Sequence, residues 1–462
     1  MALGRCHMVS AVRAGLSRLP FVVLLVLAIM ALSFVFMMLC RYEQNRRNAG
    51  GAGSPQSSAV AYGEELPATG CFTKSITYTC IDAPGRETVS PVVWDDGWFF
   101  GDMRTYNHDL ARASSVLAAL AYSESSHYQE SYQTPPYMEN ALAELGFDEV
   151  STASYEYRSE VMDQMLNLVT QREDTVAYTL ARKRVTGADG STRSVILVSV
   201  RGSYGSEWLS NLKIEGVSPE GETALSEDQE TRYDHSGYVE AASEVSQAVA
   251  PWVRESHRRG DQVTLLLVGH SRGGAIANLV AAQADDELAA LAEDAQPQDG
   301  LELAAGDAVA GYTFASPGCT TSTHAPAARY GNIFNIANPA DLMPALPLAS
   351  WGYARYGVDM NLPAMGEEGF DTQFASMSSA YTELTGEEDP YDPEADQAVR
   401  LVVGEVGAEV GSVDELVTPG GIAAVAQACA RHIDPTRILC GHYPSVYISW
   451  MYTIEADDLT LR

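Results

Sequence analysis

The chain has 462 residues, with 61 Asp and Glu against 29 Lys and Arg and a formal net charge of -32. At roughly 150 residues per domain that is one large or two medium domains, and 46% hydrophobic residues with 23 tyrosines exclude a chain disordered throughout. The acidic excess, with no basic run, also weighs against a nucleic-acid partner, because such a surface repels a phosphate backbone.

Residues 1–20 form a short, basic N-terminal stretch. From Phe21 to Leu39 the chain is uncharged and apolar, and as a helix it matches the ~30 Å hydrocarbon core of a bilayer, so a transmembrane segment is predicted at 21–39. A cleaved signal peptide is the rival reading; the length of the run and the lack of a small-residue cleavage site directly after it count against that. Arg5, Arg13 and Arg18 on one side balance Arg41, Arg46 and Arg47 on the other. The position of the run near the N-terminus then favours a signal anchor, with the N-terminus cytoplasmic and the large domain outside a cell membrane crossed once. Residues 40–95 are expected to be a tether and entry segment, rich in Gly, Ser and Ala up to about Gly70. Of the seven cysteines, Cys71 with Cys80 and Cys429 with Cys440 are close enough in sequence to bridge in an oxidising space, and no spacing resembles a zinc site.

The remainder, 96–462, reads as one domain. Tyr106 to Tyr122 has apolar residues at helical spacing, and Asp174 to Val185 with Ser194 to Val200 reads as a β-hairpin. Gly237 to Arg258 is amphipathic, with Val239, Ala242, Val245, Val249, Trp252 and Val253 on one face. Val263 to Val268 is a continuous apolar run of the kind expected for a parallel strand buried on both faces. A helix of small residues follows it, then strands at Ala310 to Ser316 and Asn332 to Ala337. This alternation predicts an α/β fold with a mostly parallel central sheet. Acidic insertions at 285–307 and 366–415 are expected to be solvated decoration, or else a cap over the site.

Gly269-His270-Ser271-Arg272-Gly273 stands between the buried strand and the small-residue helix. A strand-to-helix turn that exposes a strained serine needs small residues two positions to either side, which Gly269 and Gly273 supply, so Ser271 is the candidate nucleophile. A serine needs a base of near-neutral pKa. In the order Ser, acid, His, only His324, His432 and His442 follow it. His324 precedes the best acid; His442, on a loop before a helical stretch, is favoured over His432. Asp341, in a proline-bracketed loop directly after the strand ending at Ala337, is the candidate acid. For an oxyanion hole the donors would be the backbone N–H of Arg272 and a group from the Arg201-Gly202-Ser203 turn, with Ser203 the best second donor.

Taken together, the segments around Arg201 to Leu212, His235 to Tyr238, Val268 to Ala281, Tyr312 to Gly318, Asn332 to Leu348 and Gly441 to Tyr447 resemble the class three lipase family, the fungal-type triacylglycerol lipases and their bacterial relatives. The resemblance runs from about Tyr106 to Tyr452. It implies an α/β-hydrolase fold with Ser203 as oxyanion donor, Ser271 as nucleophile, Asp341 as acid and His442 as base. Arg272 departs from the leucine common at that position, the stretch from Tyr204 to Tyr233 stands where the family has its lid, and the insertion between Asp341 and His442 is long. The implied activity is carboxylic-ester hydrolysis of lipids, as an acylglycerol lipase or esterase, through an acyl-enzyme and without metal or organic cofactor. The partners are then a lipid or other ester substrate and, through 21–39, a membrane. A phospholipase or transacylase on the same triad, or a catalytically idle membrane-tethered binding module, are the alternatives.

Overall fold

The computed structural model describes residues 69–129, 132–155, 176–203, 236–293, 300–416, 418–433 and 440–461. The apolar run at 21–39, the tether up to residue 68 and the stretch at 204–235 lie outside the described residues. Among the described residues no helix is long and apolar enough to cross a membrane.

An eight-stranded sheet is the centre of the fold. Strands β3 (Glu149–Ser151), β4 (Tyr178–Thr186), β5 (Thr192–Val200), β6 (Gln262–His270), β7 (Ala308–Phe314), β8 (Ile333–Ala337), β9 (Val358–Asn361) and β10 (Thr460–Leu461) lie in the order β10-β9-β8-β7-β6-β5-β4-β3. From β5 to β9 every pairing is parallel, and the antiparallel pairings are confined to the margins. The hairpin of β4 and β5 falls where alternating and apolar residues flank the turn at 187–191, with Tyr178 opposite Val200.

The continuous apolar runs are explained by burial on both faces. Val195 and Leu197 of β5 with Leu266 and Val268 of β6 face a cluster that contains α1 (His108–Gln129), α2 (Tyr137–Glu144) and α8 (Pro444–Thr453). Their neighbours Ile196, Val198, Leu265 and Leu267 face the opposite cluster, with α3 (Ser236–Arg258) and α4 (Arg272–Ala292). Val245, Val249 and Val253 on the apolar stripe of α3 are fully buried there.

Four expectations are modified. Residues 71–95, grouped with the tether on composition, form an antiparallel ribbon of β1 (Cys71–Thr79) and β2 (Glu87–Asp95). Its alternate residues Ile76, Tyr78, Val92 and Trp94 enter the core, and the buried Lys183 ammonium of β4 meets Asp96 at 2.7 Å beside it. The Cys71–Cys80 bridge is not formed, because the two thiols stand at either end of a strand that rises ~3.3 Å per residue, far beyond the reach of a disulfide. Cys429 and Cys440 are not joined either.

Within 285–307 the acidic residues Asp285, Glu287 and Asp307 are structural rather than decorative. The α4 helix continues to Ala292, the buried Glu287 carboxylate accepts the Leu301 and Leu303 N–H groups at 2.6 and 2.7 Å, and Asp307 accepts the Val263 N–H at 2.7 Å. The insertion at 366–415 supplies α5 (Phe370–Thr385) and α6 (Ala395–Glu409). On α5, Phe370, Met377 and Tyr381 are buried in the main core. On α6, Val399, Val402 and Val406 pack with Ala428 of α7 (Pro419–His432) against Leu342 and Leu348, in the segment that follows Asp341.

Candidate active site

At the C-terminal end of β6 the chain turns into α4 with no loop between them. Ser271 makes that turn with φ 57° and ψ -132°, a conformation that non-glycine residues rarely adopt. Neighbouring backbone holds it there. The Ser271 N–H donates to the Phe314 carbonyl of β7 at 2.9 Å, and the Ser271 carbonyl accepts the Gly274 N–H at 2.8 Å.

Two close approaches show why glycine flanks the serine. A Cβ on Gly269 would lie 2.2 Å from the Gly273 carbonyl oxygen, and one on Gly273 would lie 2.2 Å from the Val200 carbonyl oxygen. The helix thus starts in contact with the ends of both β6 and β5.

His442 reaches the serine from a single 3-10 turn (Cys440–His442) just before α8. Its Nε2 is 2.9 Å from Ser271 Oγ, and its Nδ1 is 2.6 Å from Asp341 Oδ2. A carboxylate only accepts, so Nδ1–H donates to Asp341 and the Nε2 lone pair faces the serine hydroxyl. Asp341 sits in the turn after β8, where its N–H donates to the Asn338 carbonyl at 2.9 Å. Its Oδ1 accepts the Met343 N–H at 2.9 Å, and its Oδ2 also accepts the Tyr447 hydroxyl at 2.9 Å. With three donors on two oxygens the carboxylate has little freedom to rotate. All three side chains are buried: Ser271 is 5%, Asp341 2% and His442 1% exposed.

The structure therefore brings together Ser271, Asp341 and His442, residues 171 and 101 positions apart in sequence for the two contacts of the histidine. His432 lies on α7, where its Nε2 is 2.8 Å from Glu405 of α6, and His324 is exposed on the loop after β7. Arg272 is the first residue of α4, which directs its N–H towards the end of the helix that carries partial positive charge. The Arg201-Gly202-Ser203 turn follows β5 and abuts the elbow: a Cβ on Gly202 would lie 3.1 Å from the Ser271 Cβ. The expected lid at 204–233 is outside the described residues.

Sequence reasoning passed over three supports. Tyr447, on α8, reads in sequence as one of a run of core aromatics, yet its hydroxyl joins Asp341 to the Asn338 N–H, the latter at 3.0 Å. Asn338 also donates through Nδ2 to the Gly441 carbonyl at 2.9 Å, tying the acid loop to the base loop. Arg355, buried and paired with Asp359 at 2.6 Å, donates from one nitrogen to the carbonyls of Ser316 and Pro344 at 2.8 and 2.7 Å. That guanidinium clamps the loops after β7 and β8. The Asp341-to-Pro344 sequence carries no signal for it.

A mostly parallel sheet whose central strand hands a strained serine to an aspartate from the turn after a later strand and a histidine from the turn before α8 is the arrangement of the α/β-hydrolases, and this fold and site belong to that class. Comparison narrows the class: residues 197–351 match the family model described as lipase (class 3). The matched span includes Ser203, Ser271 and Asp341 and ends before His442. Among solved structures, the chain is similar to a Rhizomucor miehei lipase propeptide complex at 17% identity, covering 55% of this chain and 68% of that one with a TM-score of 0.35. It is similar to the Rhizomucor miehei triacylglyceride lipase at 16% identity, covering 56% and 82% with a TM-score of 0.36. A lipase from Rhizopus microsporus var. chinensis matches at 15% identity, covering 67% and 84% with a TM-score of 0.32. No curated protein matches the chain.

Proposed function

We propose that this class 3 lipase-like serine hydrolase cleaves carboxylic esters of lipids, as an acylglycerol lipase or esterase, through an acyl-enzyme on Ser271. The observation that carries the reading is the 2.9 Å contact of Ser271 Oγ with His442 Nε2, itself backed by the 2.6 Å contact with Asp341.

In this mechanism His442 takes the Ser271 proton as Oγ attacks the ester carbonyl. The imidazolium is stabilised by Asp341, and the tetrahedral oxyanion rests on the N–H groups of Ser203 and Arg272. His442 then returns the proton to the leaving alcohol. Water, deprotonated by the same imidazole, attacks the acyl-enzyme and releases the carboxylic acid, restoring Ser271. The side chain of Arg272, beside the nucleophile, faces the choice of acyl chain or head group. Residues 21–39 are the anchor of this enzyme in a membrane, with the catalytic domain on the extracytoplasmic side.

A fluorophosphonate probe tests the reading. It labels the wild-type chain and fails to label Ser271→Ala, while His442→Ala lowers turnover of a p-nitrophenyl ester by at least about 10³-fold and His432→Ala leaves it within twofold. Equal labelling of Ser271→Ala, or loss of turnover in His432→Ala instead of His442→Ala, would refute it. Hydrolysis of mono-, di- and triacylglycerols measured against phospholipids then separates the acylglycerol reading from a phospholipase.

A further inference from the structure

Between the oxyanion turn and the base stands a buried polar chain that the triad itself does not use. Tyr122, near the C-terminal end of α1, and His270, the last residue of β6, are each 1% exposed. The Tyr122 hydroxyl is 2.9 Å from His270 Nδ1, and His270 Nε2 is 2.8 Å from the backbone carbonyl of His442. The Gly202 backbone lies directly against the Tyr122 hydroxyl.

The donors in this chain have only one consistent direction. Burial, reinforced by the neighbouring His442, holds His270 well below the ordinary histidine range, so its ring is neutral and carries one N–H. The His442 carbonyl can only accept, which places that hydrogen on Nε2 and leaves Nδ1 as an acceptor. Tyr122 must then donate to Nδ1, with its oxygen packed against the Gly202 backbone. The order is Tyr122 to His270, and His270 to the His442 backbone.

The other side of Gly202 is held as well. Its carbonyl accepts Arg201 Nε at 3.1 Å, and the Arg201 guanidinium is fixed by Ser125 Oγ at 2.6 Å. In a trans peptide the N–H points opposite to the C=O. Anchoring the Gly202 carbonyl therefore aims the Ser203 N–H in the reverse direction. A side chain at Gly202 would break the arrangement, since its Cβ would lie 2.2 Å from the Tyr122 oxygen. Ring contacts stiffen the path: the His270 ring centroid is 4.8 Å from that of His442 and 5.7 Å from that of Tyr447.

We propose that Tyr122 and His270 are positioning residues that hold the oxyanion turn and the base loop in mutual register, so that the Ser203 N–H and His442 Nε2 converge on one reacting carbonyl. The proposal rests on the serine-hydrolase reading of the same site. Neither residue touches substrate. Each acts by fixing a backbone group, Tyr122 at Gly202 and His270 at His442, before the reaction begins.

The test is a kinetic double-mutant cycle on the full chain with p-nitrophenyl butyrate, using Tyr122→Phe, His270→Ala and the double variant. Each single variant is expected to lower kcat about tenfold to hundredfold with KM within twofold, because the lost order is felt in the transition state rather than in ground-state binding. The double variant should be no slower than the worse single one, since either break interrupts the same series. Fluorophosphonate inactivation rates should fall in step with kcat. His270→Gln, which keeps an N–H for the His442 carbonyl, should recover part of the loss, and it carries the test if His270→Ala does not fold. Tyr155→Phe, which removes another buried hydroxyl near α1, should lower Tm with kcat unchanged. Wild-type kcat in Tyr122→Phe, multiplicative losses in the double variant, or an equal kcat loss in Tyr155→Phe would overturn the proposal. A wild-type chain that neither labels nor turns over would instead remove the serine-hydrolase reading beneath it.

Discussion

Replacing Ser271 by glycine should stabilise the protein while removing its proposed nucleophile, and the size of the effect follows from the backbone. At φ 57° and ψ -132° the serine is held where a Cβ is sterically disfavoured, a strain of about 1–3 kcal/mol for a non-glycine residue. Glycine relieves it but loses more chain entropy on folding, about 0.5–1 kcal/mol relative to alanine. Ser271→Ala is the proper reference, because both variants lose the 2.9 Å contact with His442 and differ only in the Cβ. Ser271→Gly should therefore exceed Ser271→Ala in stability by about 0.5–2 kcal/mol. In a domain of this length that corresponds to on the order of 1–2 °C in Tm. Urea unfolding at neutral pH, with both variants measured side by side and ester turnover absent in each, provides the assay. If Ser271→Gly were less stable than Ser271→Ala by the ordinary glycine cost, the elbow would not be strained in solution, and the argument for a conformationally loaded nucleophile would fail.

Two other perturbations have defined outcomes. Gly273→Ala brings a Cβ to 2.2 Å of the Val200 carbonyl oxygen and 2.7 Å of the Arg201 carbonyl carbon, and because both atoms are sheet-end backbone it should cost about 3 kcal/mol or leave the chain insoluble. Gly404→Ala, in the exposed middle of α6 with nothing near its Cβ, should instead stabilise by about 0.5–1 kcal/mol; a midpoint shift of the same sign in both would refute the packing argument. Stability should also fall as pH rises from about 4.5 to 8. Burial first, and the nearby Glu139 carboxylate second among the raising effects, push Glu124 up to about 8, and burial pushes Asp285 to about 8 despite its hydrogen bond from Asn332. A folded state that holds these protons more tightly than the unfolded chain is favoured fully below the unfolded pKa and loses that advantage as each group ionises, at up to about 1.4 kcal/mol per pH unit per group. Glu124→Gln with Asp285→Asn should flatten the dependence in urea titrations between pH 5 and 9, and an unchanged slope would contradict it.

The parts of the molecule that were legible in sequence share a physical basis. Val263 to Val268 reads as a buried strand because a parallel strand covered by helices on both faces tolerates apolar residues at every position. Ser271 follows from the spacing of Gly269 and Gly273, and Asp341 and His442 follow from chain order. The hairpin at 71–95 was obscured because its faces are mixed in polarity, with Val89, Pro91 and Val93 outward and Thr88 and Ser90 buried, and the period-2 burial of Ile76, Tyr78, Val92 and Trp94 is visible only once the strands are paired. The cysteine spacing misled for the same reason: nine residues close a loop easily, but not when they form an extended strand. Acidic composition likewise hid the buried work of Asp285, Glu287 and Asp307, since counting acidic residues does not distinguish a solvated carboxylate from a buried carboxyl group held by hydrogen bonds.

Tyr122 shows where this kind of reading stops. On the helix from His108 to Gln129 it ends an apolar stripe, and by periodicity alone it is one more core aromatic. A buried hydroxyl nevertheless has to find partners, so a tyrosine closing such a stripe announces a polar contact without saying which. Its partner, His270, is 148 residues away, and that histidine's own acceptor is a further 172 residues on. Local pattern cannot encode separations of that length; they are set by which helix and which turn the fold brings to the end of β6. The candidate triad is legible in sequence because its three members carry chemistry that narrows the choice, whereas the residues that contact them carry ordinary core identities. Their roles emerge only from the direction in which each buried donor is obliged to point.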